Sequence, residues 1–303
     1  MAQIHRWRGT AGHQSAYPVL RSSSARTIAG GFRAGADAYA RTRSHDRAWF
    51  RRVVVKGAIC SLLGALVVSC SGCGGGGDGS AAPVQAAQSA PRTVLIESYG
   101  DSTTQGWQVV NGTGQVTKNS EPVVLQRLLQ EQFGTTVTVS NNGVGSTEAS
   151  QLLNGTDGAH PTWQNQMASS KAQIVTLNFG LNDAYYDAVK KDGLAAESPD
   201  DFSSIITQLV QIARQYGKQV VIFEPNPTCD PVRPPLMPAY ISALRQVASA
   251  QQVPIVSEFD VIQAIPNWQS LLTDCLHPSD ALYQKKAELE FPAVASAVGS
   301  LVK

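Results

Sequence analysis

Glu97-Ser98-Tyr99-Gly100-Asp101-Ser102-Thr103-Thr104 follows directly on Thr93-Val94-Leu95-Ile96. Those four preceding residues are apolar and β-prone, the pattern of a buried strand. The strand stops at Gly100, and a serine stands two residues beyond it. Open α/β sheets bind ligands in the crevice outside the carboxyl ends of their strands. A serine at that edge is a candidate nucleophile. Gly-Asp-Ser is equally a good turn sequence, and the triplet alone does not decide between the two readings.

Three later stretches weigh on the choice. Asn141-Asn142-Gly143-Val144-Gly145-Ser146 follows the apolar run Val137-Thr138-Val139, and Gly180-Leu181-Asn182-Asp183 follows Ile174-Val175-Thr176-Leu177. Asp274-Cys275-Leu276-His277-Pro278 stands near the C-terminus. In this order the four blocks resemble the SGNH, or GDSL-like, hydrolase superfamily over roughly residues 92–303. The resemblance implies a serine esterase with Ser102 as nucleophile, His277 as base and Asp274 as its acid. It further implies an oxyanion hole from Asn182, the backbone N–H of Ser102 and a glycine-type position after the second strand. That position falls on Gly145 or Ser146, and a serine there would restrict φ.

The residues support the same chemistry independently. A serine hydroxyl needs a base in hydrogen-bond reach, and the oxyanion that develops needs donors. The domain after residue 92 has two histidines, His160 and His277. His160 lies in Gly158-Ala159-His160-Pro161, read as a loop with no acid at useful spacing. His277 has Asp274 three residues earlier, so one short turn brings a carboxylate to its Nδ1. Asn182 carries two amide donors, although Asn-Asp also favours a helix cap. No G-x-S-x-G surrounds Ser102, which disfavours the nucleophile elbow of the larger α/β-hydrolase family.

Along the domain, strand and helix patterns alternate. Strands are expected from Thr93 up to Gly100 and near 136–140, 173–178, 220–223 and 254–256. Helices are expected over 122–133, 200–216, 237–251 and from Ser279-Asp280 onward. A polar loop is expected through Gly106, Trp107, Gly112 and Gly114, and a loop insertion over 184–199 whose Tyr185 and Tyr186 either line a pocket or only pack the loop. Such alternation implies an α/β fold, a flavodoxin-like doubly wound domain on a five-stranded parallel sheet.

The formal charge of +1 hides an asymmetry: residues 1–56 carry 11 Lys and Arg against 2 Asp and Glu, leaving 13 basic and 21 acidic residues to the rest. An acidic body argues against nucleic acid as a partner. Residues 57–69 form an apolar run preceded by Arg51, Arg52 and Lys56, too short to span a bilayer but suited to a secretory signal. Val67-Val68-Ser69-Cys70 resembles a bacterial lipobox, with Cys70 the residue to be lipidated; an ordinary signal peptide cut nearby is the alternative. Residues 1–69 are then an N-terminal extension plus lipoprotein signal, and Met1 is the only methionine before Met167. A start at Val53, Val54 or Val55 competes with a genuine extended n-region. Residues 70–91, rich in Gly, Ser, Ala, Pro and Gln, read as a flexible tether. The expected location is the bacterial cell envelope, lipid-anchored and outside the cytoplasm.

Of five cysteines, Cys60, Cys70 and Cys73 precede the domain. Cys229 and Cys275 remain, and exported domains favour disulfides, so a bridge between them is expected to pin the Asp274–His277 turn. No His/Cys/Asp spacing suggests a metal and no phosphate loop is present, so no cofactor is expected. The substrate expected is a carboxylic ester, a small molecule or an acylated glycan. Acetyl transfer to or from a polysaccharide on the same site, and a non-catalytic surface-binding lipoprotein, are the alternatives.

Overall fold

A computed structural model describes residues 93–302. The expected extension, signal and tether, with Cys60, Cys70 and Cys73, lie outside the described residues. From the N-terminal side the elements are β1 (Val94–Gly100), α1 (Ser102–Gln105), β2 (Trp107–Val110), β3 (Thr113–Val116), α2 (Glu121–Phe133) and β4 (Val137–Gly143). Then come α3 (Ala149–Asn154), α4 (Trp163–Ser169), β5 (Ile174–Asn178), α5 (Leu181–Ala188) and α6 (Pro199–Gln215). The chain closes with β6 (Gln219–Phe223), α7 (Met237–Gln251), β7 (Ile255–Val256), α8 (Glu258–Gln263) and α9 (Asp280–Leu301).

Five strands form a parallel sheet in the order β4-β1-β5-β6-β7. Counted within that sheet alone, this is the doubly wound order 2-1-3-4-5. Alternate residues of each strand enter two separate cores. Val94 and Ile96 of β1 join Val221 and Phe223 of β6 under α2 and α9. Tyr99, Val175, Leu177 and Ile222 join the apolar faces of α3, α4, α6 and α7. Helix α6 shows how local sequence sets an element. Ser198 caps it by accepting from the Asp201 N–H, Pro199 fits the first turn, and Phe202, Ile206, Leu209 and Val210 form the buried stripe.

The topology sets where a site can lie. The sheet order reverses between β1 and β5, and their ends are aligned, Gly100 opposite Asn178. Ser102 stands just past one strand end and Asn182 just past the other. Among the described residues, no helix is long and apolar enough to cross a membrane.

Two sequence expectations need correction. The polar loop after β1 is a hairpin, β2 paired antiparallel with β3. Its strands are only four residues long and β3 is exposed throughout, so no alternation marks it. The 184–199 insertion begins as the last turn of α5, and only the segment after Ala188 is loop.

Candidate active site

Each candidate residue is held by a short, tightly bonded turn. Asp101 caps α1: its Oδ1 accepts from the Thr103 N–H and from Thr103 Oγ1, both at 2.8 Å. Burial pushes this carboxyl up, against those hydrogen bonds. The turn allows nothing larger than glycine before it. A Cβ on Gly100 would lie 2.1 Å from Thr104 Oγ1 and 2.6 Å from the Asn178 carbonyl oxygen. Ser102 thus opens α1 with its hydroxyl directed to the sheet edge, where Ser102 Oγ lies 2.9 Å from His277 Nε2.

His277 is fixed by the Asp274–His277 turn. Asp274 Oδ1 accepts from the backbone N–H groups of Leu276 and His277, and Asp274 Oδ2 lies 2.8 Å from His277 Nδ1. Burial pushes the Asp274 carboxyl up, but the hydrogen bonds from His277 outweigh it and hold the group below the usual carboxylate range. The turn requires Cys275 at φ +65°, a left-handed conformation that costs a non-glycine residue. Its constraint comes from the Cys229–Cys275 disulfide, with an S–S distance of 2.06 Å, and from a 2.8 Å bond between the Cys229 N–H and the Cys275 carbonyl. The hairpin adds a second hold: the Val109 N–H donates to Thr273 Oγ1 at 3.0 Å, and the Trp107 ring packs edge-on to His277.

Asn182 lies in the first turn of α5 rather than on the strand end itself. Gly180, at φ +127°, makes the bend from β5 into that helix. Asp183 staples the bend by accepting from the Gly180 N–H at 2.9 Å and the Ala149 N–H at 2.9 Å. Asn182 Nδ2 donates to the Thr147 carbonyl at 3.0 Å. Its second amide hydrogen is left for the cleft, which Asn182 lines together with Ser102 and His277. Gly145 and Ser146 line the same cleft. Ser146 has φ +63°, so the glycine-type backbone conformation falls on the serine and not on Gly145.

The sequence of residues 98–285 matches the model of the GDSL-like lipase/acylhydrolase family, more than half of the chain. The chain belongs to the GDSL-like lipase/acylhydrolase family. Its enzyme class is accordingly that of an ester hydrolase. Among solved structures, the GDSL-like hydrolase is similar to a lipase/acylhydrolase from Enterococcus faecalis, at 17% identity and a TM-score of 0.53, over 68% of this chain and 97% of that one. It is also similar to an acetyl-xylooligosaccharide esterase from Geobacillus, at 19% identity and a TM-score of 0.53, over 68% of this chain and 95% of that one. At such identities these likenesses concern the fold. No curated protein matches the sequence.

The cleft of the GDSL-like hydrolase encloses about 510 Å³ and is also lined by Trp107, Tyr185, Tyr186 and Arg233. Tyr185 and Tyr186 therefore do face a pocket. Arg233 is a site residue that sequence reading passes over, because it stands 51 positions from Asn182 with no motif around it. His160 needs a correction. It has an acid after all: Asp157, three residues earlier, sits 2.7 Å from His160 Nδ1 in a turn of the same Asp-x-x-His form. That pair packs against Tyr99, and His160 does not line the Ser102 cleft.

Proposed function

We propose that the GDSL-like hydrolase is a serine esterase acting through an acyl-Ser102 intermediate. The observation that carries this reading is the unbroken relay from Ser102 Oγ to His277 Nε2 at 2.9 Å and from His277 Nδ1 to Asp274 Oδ2 at 2.8 Å. In the first half-reaction Ser102 Oγ bonds to the ester carbonyl carbon while its proton passes to His277 Nε2. Asp274, kept ionised by its hydrogen bonds, fixes the tautomer with the proton on Nδ1 and stabilises the imidazolium. The oxyanion receives the free Nδ2–H of Asn182 and the backbone N–H of Ser102, with the third donor from Gly145 or Ser146. When the tetrahedral adduct collapses, the carbon–oxygen bond to the leaving alcohol breaks and His277 returns its proton to that oxygen. A water molecule then repeats the sequence on the acyl group, freeing the acid and Ser102.

The substrate class we favour is a short-chain acyl ester, including acetyl esters of glycans. An open cleft walled by Trp107, Tyr185 and Tyr186 suits a sugar, whose apolar face stacks on aromatic rings. The Geobacillus structure of the same fold is named for an acetylated xylooligosaccharide. We further propose that the chain is an exported envelope lipoprotein anchored through Cys70, with this domain on the 70–91 tether. Its check is mass spectrometry of the membrane fraction, with an acylated N-terminus at Cys70 expected and a soluble form retaining residues 1–50 as the contrary result.

The test of the chemistry is turnover of p-nitrophenyl acetate by Ser102→Ala and His277→Ala, with circular dichroism to show that each folds. Both are expected to lose activity, with Asp274→Asn equal or less severe. Near-normal turnover by folded Ser102→Ala would exclude the mechanism. A parallel assay with acetylated xylan and with sugar acceptors separates hydrolysis from transfer.

A further inference from the structure

Arg233 lies on the loop between β6 and α7, 7% exposed, and every polar end of its side chain has a partner. Its Nε donates to the Leu181 carbonyl at 3.0 Å. Its Nη2 faces Asn182 Oδ1 at 3.4 Å, and its Nη1 lies 3.5 Å from Asp230 Oδ2. The guanidinium also sits over the Tyr185 ring, 4.3 Å from its centroid. The planar fork is thus fixed in position and orientation by four neighbours at once.

We propose that Arg233 is a positioning residue for ester hydrolysis: its guanidinium holds the Asn182 carboxamide oxygen so that one amide hydrogen of Asn182 faces the cleft. The proposal rests on the reading of Asn182 as an oxyanion donor. A carboxamide can flip by half a turn at little cost in size, exchanging its donor and acceptor ends. Here the flip would set the Asn182 NH2 against the Arg233 guanidinium and its oxygen against the Thr147 carbonyl oxygen, two like-with-like contacts. Thr147 acts on one end of the amide and Arg233 on the other. The 3.4 Å separation is long for a hydrogen bond, so the hold is chiefly that of a cation on a carbonyl dipole. That same cation draws electron density from the amide and strengthens the remaining N–H as a donor. Lysine cannot do both jobs, because a point charge cannot reach the Leu181 and Asn182 oxygens with a rigid fork.

The experiment is a double-mutant cycle on kcat for p-nitrophenyl acetate, with Arg233→Lys, Asn182→Ala and the pair. Arg233→Lys keeps a cation near Asp230 and Tyr185 but loses the fork that, anchored on the Leu181 carbonyl, sets the charge against Asn182 Oδ1. It is expected to lower kcat about tenfold, with KM within about twofold, because the lost effect belongs to the transition state. In the Asn182→Ala background the same change is expected to cost less than about twofold, since no amide is left to orient. Should Arg233→Lys not fold, Arg233→Gln, which retains an N–H donor for the Leu181 carbonyl, carries the same cycle. Equal losses in both backgrounds, or a loss confined to KM, would overturn the role while leaving the oxyanion reading standing. An Asn182→Ala enzyme with unchanged kcat would instead overturn that reading and the role of Arg233 with it.

Discussion

At the scale of single residues, the site is a set of local strains and satisfied hydrogen bonds. Ser146 is the clearest case. It lines the cleft in a left-handed conformation that an L side chain adopts only at a cost. Ser146→Gly should therefore raise stability by up to about 1 kcal/mol while keeping the backbone N–H, and activity should be retained; chemical denaturation with an activity assay checks both. Asn182 is the other. With one amide hydrogen spent on Thr147, the second is all it can offer an oxyanion. Asn182→Ala is expected to lower kcat by roughly 10²–10³ with little change in KM, and a change confined to KM would make it a ground-state contact instead. The Ser102, Asn182, Asp274 and His277 positions are legible in the sequence because each sits in a short local motif, those of Ser102 and Asn182 just past a strand. Arg233 and Thr147 are not. Their roles are contacts made across the fold, and contacts of that kind leave no local pattern.

At the scale of elements, the Asp274–His277 turn is held from both sides. The hairpin of β2 and β3 reaches it through Val109 and Trp107, and the loop after β6 reaches it through the disulfide. Sequence reading foresees the disulfide because two cysteines, Cys229 and Cys275, remain for the domain and an exported domain is expected to pair them. It does not foresee the hairpin, whose four-residue strands pair with each other and not with the main sheet. Nor does it foresee α3 and α4, which are short and polar on the outside. The bridge closes a separation of 46 residues, worth about 4 kcal/mol on the chain-entropy model. Its local effect is larger in consequence, since a misplacement of about 1 Å in a catalytic group can cost about a hundredfold in rate. Reductant is accordingly expected to lower activity before it unfolds the domain. Activity and circular dichroism followed together across a dithiothreitol series check this; simultaneous loss of both would show that the bridge serves stability alone.

At the scale of the whole molecule, ionisable groups are buried at two places in the fold. Lys286 of α9 is wholly buried, with its Nζ 2.6 Å from Glu121 of α2 and 3.2 Å from Glu258 of α8, and Glu290 completes the group. In sequence these look like ordinary helix-surface charges, because only the packing of three helices brings them together. One lysine cannot balance three carboxylates. Burial pushes the Glu258 carboxyl up to about 7, and burial together with Glu121 and Glu258 pushes Glu290 higher than usual. On the other side of the sheet, burial raises Asp183 and Glu197 as well. A carboxyl raised on folding contributes stability that is complete below its unfolded pKa and is lost as pH rises through the folded value. For Glu258 that window runs from 4.5 to about 7. The melting temperature should therefore fall between pH 5 and pH 8, at up to about 1.4 kcal/mol of stability per pH unit for each group released. Glu258→Gln, which leaves the Lys286–Glu121 pair in place, should flatten that slope, and an unchanged slope would remove Glu258 from the account.

The proposed mechanism makes Ser102 Oγ the atom that carries the acyl group. The direct measurement is peptide mapping by mass spectrometry after the protein reacts with a fluorophosphonate ester. A single adduct on Ser102, absent from folded His277→Ala, is the result expected of a hydroxyl activated through the 2.9 Å contact with His277. No adduct, or an adduct on another serine, would contradict it.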